Sequence, residues 1–223
     1  MRKIKISLIL NIINIIFILF ATIAMITNFR FMTNEGVLEI PGVNALQFFT
    51  VDSNLLLGIS SIIMVVYEVL LLNGKITSIP KYVYLFKFIS TVATTLTMMT
   101  VVVLLGPIAP TGYFSLFINS NFFFHLVSPL LGVISYVFFE NHNLMNKKEI
   151  LYGLLPTFLY GIYYTTNVLI HMENGKVPPA NDWYGFAQGG VVSIIIYVVL
   201  MFGTSLLFSF LLYFGNKKLY KEN

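Results

Sequence analysis

Apolar residues fill six long blocks, at about 6–26, 43–72, 82–105, 116–139, 150–171 and 189–214, and polar residues gather between them. Each block is long enough to cross a hydrocarbon core about 30 Å thick as a helix. Breakers fall at the joints: Pro41-Gly42, Asn73-Gly74, Gly106-Pro107 and Pro178-Pro179. Pro156 lies near the start of the fifth block and predicts a kink there. The pattern predicts an all-α membrane protein, a six-transmembrane-helix bundle forming one integral domain over residues 1–223. A cleaved signal peptide competes for the first block, but its apolar run exceeds the usual 7–15 residues, so a retained span is expected.

Composition agrees: 57% of the chain is hydrophobic and 10% charged, against roughly 25% charged in soluble domains. The placement of charge adds orientation. The two ends and the second and fourth loops hold Arg2, Lys3, Lys5, Lys75, Lys81, Lys147, Lys148, Lys217, Lys218 and Lys221; the other loops hold only Arg30 and Lys176. That asymmetry predicts both termini in the cytoplasm, with Glu35, Glu39, Glu173 and Asp182 outside. It does not form a nucleic-acid patch. Abundant Ile, Asn, Lys, Phe and Tyr point to an AT-rich genome, and so to a bacterial plasma membrane. The chain has no cysteine, which excludes disulfides, thiolate metal sites and a cysteine nucleophile.

Polar residues inside the apolar blocks carry the candidate chemistry, because they are costly in lipid unless paired or used. Thr50 and Asn54 are spaced i,i+4, as are Asn121 and His125, and Asn167 and His171. Each pair shares a helix face. All three fall in the outer half of their spans, so they are expected to meet at one cavity. A hydrogen-bonded network without chemistry is the alternative. Near the other side of the membrane, Glu68 and Lys87 are expected to pair or to snorkel. His142 receives no role. His125, His171 and Asp52 form the least favoured option, a metal site; no metal-ligand spacing supports it, and no metal or cofactor is expected. No nucleophile elbow, His-Glu-x-x-His, phosphate loop or dinucleotide fingerprint occurs.

Phe49-Thr50-Val51-Asp52-Ser53-Asn54-Leu55-Leu56, His125-Leu126-Val127-Ser128-Pro129 and Asp182-Trp183-Tyr184 resemble motifs of the androgen-induced and androgen-dependent membrane hydrolases. That family cleaves fatty acid esters of hydroxy fatty acids. The closer resemblance is to its small bacterial six-span relatives. The resemblance implies Thr50 as nucleophile and His125 as its partner, acting on a lipid ester. Asn54 and Asn121 are the expected oxyanion donors, with Asn167 and His171 nearby to position substrate. Asp52 lies about 200° around the helix from Thr50 and is a poor candidate to orient His125. An acyltransferase, or a transporter or binding protein using the same cavity, are the competing functions. Oligomeric state is not legible in the sequence.

Overall fold

A computed structural model describes residues 1–32, 36, 38, 42–140 and 145–220. Among these the chain forms helices and connecting turns, with one isolated bridge between Glu173 and Lys176 and no strand. The helices are α1 (Arg2–Ile26), α2 (Phe49–Leu72), α3 (Lys81–Met99), α4 (Ser120–Phe122), α5 (Ser128–Phe139), α6 (Leu155–Ile170) and α7 (Gly190–Leu219). α3 runs on through a π-helical stretch, Thr100–Leu105, and a 3-10 turn, Gly106–Ile108. α4 and α5 are joined by a π-helical stretch, Phe123–Val127. Among the described residues five helical runs are long and apolar enough to cross a membrane: Arg2–Ile26, Phe49–Leu72, Lys81–Ile108, Ser120–Phe139 and Gly190–Leu219.

The fifth expected block is built differently. A 3-10 helix, Lys147–Leu154, leads into the 16-residue α6. Pro156 sits in the first turn of α6, where its missing N–H is not needed. It therefore marks the change of helix type and does not kink an established α-helix. Two other starts also move. α2 begins at Phe49, not Val43, because Val43–Gln47 is a 3-10 turn and Phe48 is extended. The fourth span begins at Ser120, not Leu116, because Asn119 adopts φ 51° and reverses the chain. Asn119 Oδ1 accepts the backbone N–H groups of Phe31 and Met32 at 2.9 and 2.8 Å, which ties the segment after α1 to this reversal.

α3 is the most buried span, packed by α2, α5, α6 and α7; α7 is the most peripheral. Small residues let the helices approach. Gly132 lies against Leu57, so that an added Cβ would sit 3.1 Å from the Leu57 side chain. Gly153 packs on Val92 and Ser209, and an added Cβ there would collide with the serine hydroxyl. Lys3 Nζ stands 3.9 Å from the centre of the Tyr220 ring, so the two chain ends meet at one end of the bundle. Lys81 and Glu149 pair at 2.5 Å.

Polar contacts at that end decide between pairing and snorkelling for Lys87 and move Glu140 out of the loop. Lys87 does not snorkel: it is fully buried, and its Nζ donates to Asn11 Oδ1 and Ser61 Oγ, each at 2.6 Å. Glu140, expected in a polar loop, caps α5 and is buried, accepting from Ser135 Oγ at 2.6 Å and Asn11 Nδ2 at 3.2 Å. Glu35, Glu39, Pro41, Asn141, His142, Asn143 and Lys221 lie outside the described residues.

Gly153→Val should separate the 3-10 helix from α3 and α7. Overpacking of this kind costs about 1–3 kcal/mol, a fall of roughly 2–12 °C in Tm for a chain of this size. Thermal unfolding in detergent measures it; an unchanged Tm contradicts the close approach.

Candidate functional site

The site is organised around the first turn of α2. Helix starts leave N–H groups without intrahelical acceptors, and Phe48 supplies no side-chain cap. Tyr184, from the loop between α6 and α7, fills that role: its hydroxyl accepts the Phe49 N–H at 2.9 Å. Tyr160 of α6 donates to the Gln47 carbonyl at 2.6 Å, and Trp183 Nε1 donates to the Tyr160 hydroxyl at 2.9 Å. Asp182 braces the loop, accepting from the Tyr164 hydroxyl and from the Ala187 N–H at 3.0 Å. Asp182-Trp183-Tyr184 is thus a clamp on the start of α2. Burial pushes the Tyr184 hydroxyl up to about 12, while the Tyr160 hydroxyl and the Phe49 N–H pull it back. It stays protonated across the physiological range.

Thr50 is the second residue of the clamped helix and half-buried. No hydrogen bond reaches its N–H or its Oγ1 among the described residues. Its carbonyl accepts from Ser53 Oγ at 3.1 Å and Asn54 Nδ2 at 2.8 Å. Asn54 Nδ2 also donates to the Phe124 carbonyl at 3.0 Å. That bond crosses from α2 to the π-helical stretch one residue before His125. A π-helical turn displaces carbonyls from the α ladder, and here a side-chain amide meets one of them. Both amide hydrogens of Asn54 are committed, so Asn54 is a strap between helices and has none left for an oxyanion. Its Oδ1 has no hydrogen-bond partner.

His125 is 3% exposed. Its Nδ1 lies 2.9 Å from the Leu116 carbonyl. A carbonyl can only accept, so Nδ1 carries the proton and Nε2 presents a lone pair. Leu116 belongs to the 3-10 turn Tyr113–Phe117, folded back over the start of the fourth span.

Thr50, Asn121 and His125 all line one cavity of about 1040 Å³. This is at the top of the usual range for ligand pockets. Its wall is mainly apolar, with polar contributions from Thr97, Thr157 and Arg30. Leu104, Leu105 and Leu200 line it and are also exposed, so it opens sideways between the end of α3 and α7.

The third expected polar pair is elsewhere. Asn167 Nδ2 donates to the Asn181 carbonyl at 2.7 Å, and the exposed His171 bonds the Asn167 carbonyl through Nδ1 at 2.8 Å. Neither lines the cavity; Asn167 secures the end of α6 to the clamp loop, and His171 closes the end of its own helix. Asp52 lines a separate cleft of about 290 Å³ between α2 and α6, with Tyr160 and Tyr163. Among the described residues no three His, Cys, Asp or Glu side chains group as metal ligands. The roles of Tyr160 and Tyr164 went unread in the sequence, where they look like ordinary aromatic residues of a membrane helix.

Fold and site together define an all-α protein with membrane-crossing helices and a large, laterally open cavity carrying a hydroxyl and an imidazole. Compared with protein-family models, curated proteins and solved structures, the chain has no match.

Tyr184→Phe removes the acceptor for the Phe49 N–H while keeping the ring. Loss of a helix cap costs about 0.5–2 kcal/mol. Denaturation of the purified protein should show that loss, together with faster hydrogen exchange at Phe49 and its neighbours. Unchanged exchange contradicts the cap.

Proposed function

We propose that the protein is an intramembrane threonine hydrolase that cleaves a lipid ester, such as a fatty acid ester of a hydroxy fatty acid. The observation carrying this reading is that Thr50 and His125 line one cavity, with the His125 lone pair at Nε2 left available by the Leu116 bond. A threonine hydroxyl needs a base to become a nucleophile. Nε2 takes the proton as Thr50 Oγ1 attacks the ester carbonyl. The intermediate collapses, the carbon–oxygen bond to the leaving alkoxide breaks, and His125 returns the proton to that alkoxide. The acyl group is then on Thr50. Water attacks it with His125 again taking a proton, the acid leaves, and Thr50 regains its hydrogen.

The oxyanion is held by the Thr50 N–H, which no other acceptor uses, and by Asn121 from across the cavity. Asn54 sets the distance between the two halves. Thr50 and His125 are not hydrogen-bonded to each other; catalytic contacts of this kind tighten when substrate is seated. Asn167 acts indirectly, by holding the clamp loop, and His171 closes the end of α6 behind it. The acyl chain enters sideways through the opening beside α7.

We place both termini in the cytoplasm of a bacterial plasma membrane, with six crossings. Chain ends that meet at one end of the bundle support an even number. The 3-10 helix Lys147–Leu154 and α6 together span roughly 40 Å at about 2.0 and 1.5 Å per residue, enough for the sixth. The basic residues set the orientation.

A fluorophosphonate probe tests the chemistry. Wild-type protein and Thr50→Ser should label; Thr50→Ala should not, and His125→Ala should label roughly 10²-fold more slowly or worse. If folded wild-type protein takes no label, the size and side opening of the cavity favour a transporter or lipid-binding protein. Labelling with transfer to an added alcohol in preference to water assigns an acyltransferase. Because the chain has no cysteine, orientation is read with single cysteines. An impermeant maleimide should modify Lys176→Cys in intact cells and leave Lys148→Cys untouched; the reverse pattern inverts the topology.

A further inference from the structure

The second concentration of buried polar groups lies at the other end of the bundle, where the chain termini meet. Eighteen residues of α2 separate Thr50 from Glu68, about 27 Å along the helix, so this group takes no part in the ester chemistry. Glu68 from α2, Lys87 from α3 and Glu140 at the end of α5 are each 1% exposed or less. Both carboxylates interact with Lys87, and with each other. Asn11 of α1 links the cluster: its Oδ1 accepts from Lys87 Nζ at 2.6 Å, and its Nδ2 donates to Glu140 Oε1 at 3.2 Å and to Ser7 Oγ at 3.2 Å.

The hydrogen bonding is incomplete in a particular way. Glu68 Oε2 and Glu140 Oε2 are buried and have no hydrogen-bond partner among the described residues. Both amide atoms of Asn14, one turn beyond Asn11, are buried and unpartnered as well. Two carboxylates against one ammonium leave one negative charge in a low-dielectric interior, an arrangement that is strongly unfavourable. One more positive charge removes it. A metal cation would have to sit beside the Lys87 ammonium, which repels it, and the Asn11 and Ser61 oxygens already accept from Lys87. A proton on either carboxylate removes the excess charge and needs no cavity of its own.

We propose that Glu68 and Glu140 together hold one exchangeable proton beside the Lys87 ammonium, a proton-binding site distinct from the cavity. The proton belongs to the pair and not to either residue alone. Among the described residues, the other titratable groups facing the pair are Tyr136 of α5, which interacts electrostatically with Glu140, and Tyr213 of α7, which interacts with Tyr136. Loss of the proton leaves a net charge among α1, α2, α3 and α5.

Infrared difference spectroscopy on the full chain in lipid nanodiscs tests this. Wild-type protein at neutral pH should show the carbonyl stretch of a protonated, buried carboxyl group, and it should shift when glutamate carries carbon-13 at the side-chain carboxyl. Glu68→Gln and Glu140→Gln should each remove it, because one carboxylate then balances Lys87. Lys87→Met should raise its intensity about twofold, because both carboxyls must then be protonated. No such band in wild-type protein overturns the proposal, as does a band that survives both glutamine substitutions or ignores Lys87→Met. A band abolished by sodium assigns the site to a metal cation and overturns the proton. The carbon-13 shift needs no substitution, so a variant that fails to fold leaves the test intact.

Discussion

A helix start exposes N–H groups that have no acceptor within the helix and must find one elsewhere. The start of α2 is the place where this constraint shapes the rest of the molecule. Tyr184 meets the Phe49 N–H, Tyr160 holds the carbonyl of Gln47 just before it, and Trp183 holds Tyr160. The loop that carries Trp183 and Tyr184 is itself secured through Asp182 and Asn181 to α6. What this leaves open is as informative as what it satisfies. The Thr50 N–H stays without an acceptor directly beside the Thr50 hydroxyl, on the wall of the cavity.

The same constraint sorts the other polar groups. Hydroxyls along α3 fold back on their own helix: Ser90 and Thr91 onto the Lys87 carbonyl, Thr94 onto Ser90, Thr95 onto Thr91 and Thr97 onto Thr94. These groups are satisfied locally and let α3 occupy the centre of the bundle. Groups that cannot be satisfied locally collect at the two ends. At one end Asn54 bridges α2 to the π-helical turn that carries His125. At the other Asn11 bridges Lys87 to Glu140. In each case an asparagine joins helices distant in the chain, Asn54 through its amide hydrogens alone and Asn11 through both amide atoms.

Much of the helical layout was legible in the apolar blocks, because a run of about 20 apolar residues has few alternatives in a polypeptide. The helix starts were not. Phe48 and Asn119 depart from helix for reasons of tertiary contact, and apolar character alone continues through them. Thr50 with Asn54, and Asn121 with His125, were visible as i,i+4 pairs, and the cavity contains three of these four side chains, with Asn54 tying it together. The same spacing misled at Asn167 and His171, since both lie at the end of α6, where the exposed helix terminus and the loop claim them. Ser7, Asn11 and Asn14 carried an equally periodic signal in the first block and were passed over. The burial of Glu140 had little local signal, because beyond Ser135 in its own helix it depends on Asn11 arriving from α1.

The central claim is that α2 and the π-helical turn bring residues 50 and 125 to one cavity. It is tested most directly by cross-linking Thr50→Cys to His125→Cys in this cysteine-free chain, with a short bifunctional thiol reagent and a protease site in the loop after Gly106. The account predicts a pair that still migrates as one species after cleavage. Two fragments that separate, while each cysteine alone reacts with a maleimide, would contradict it.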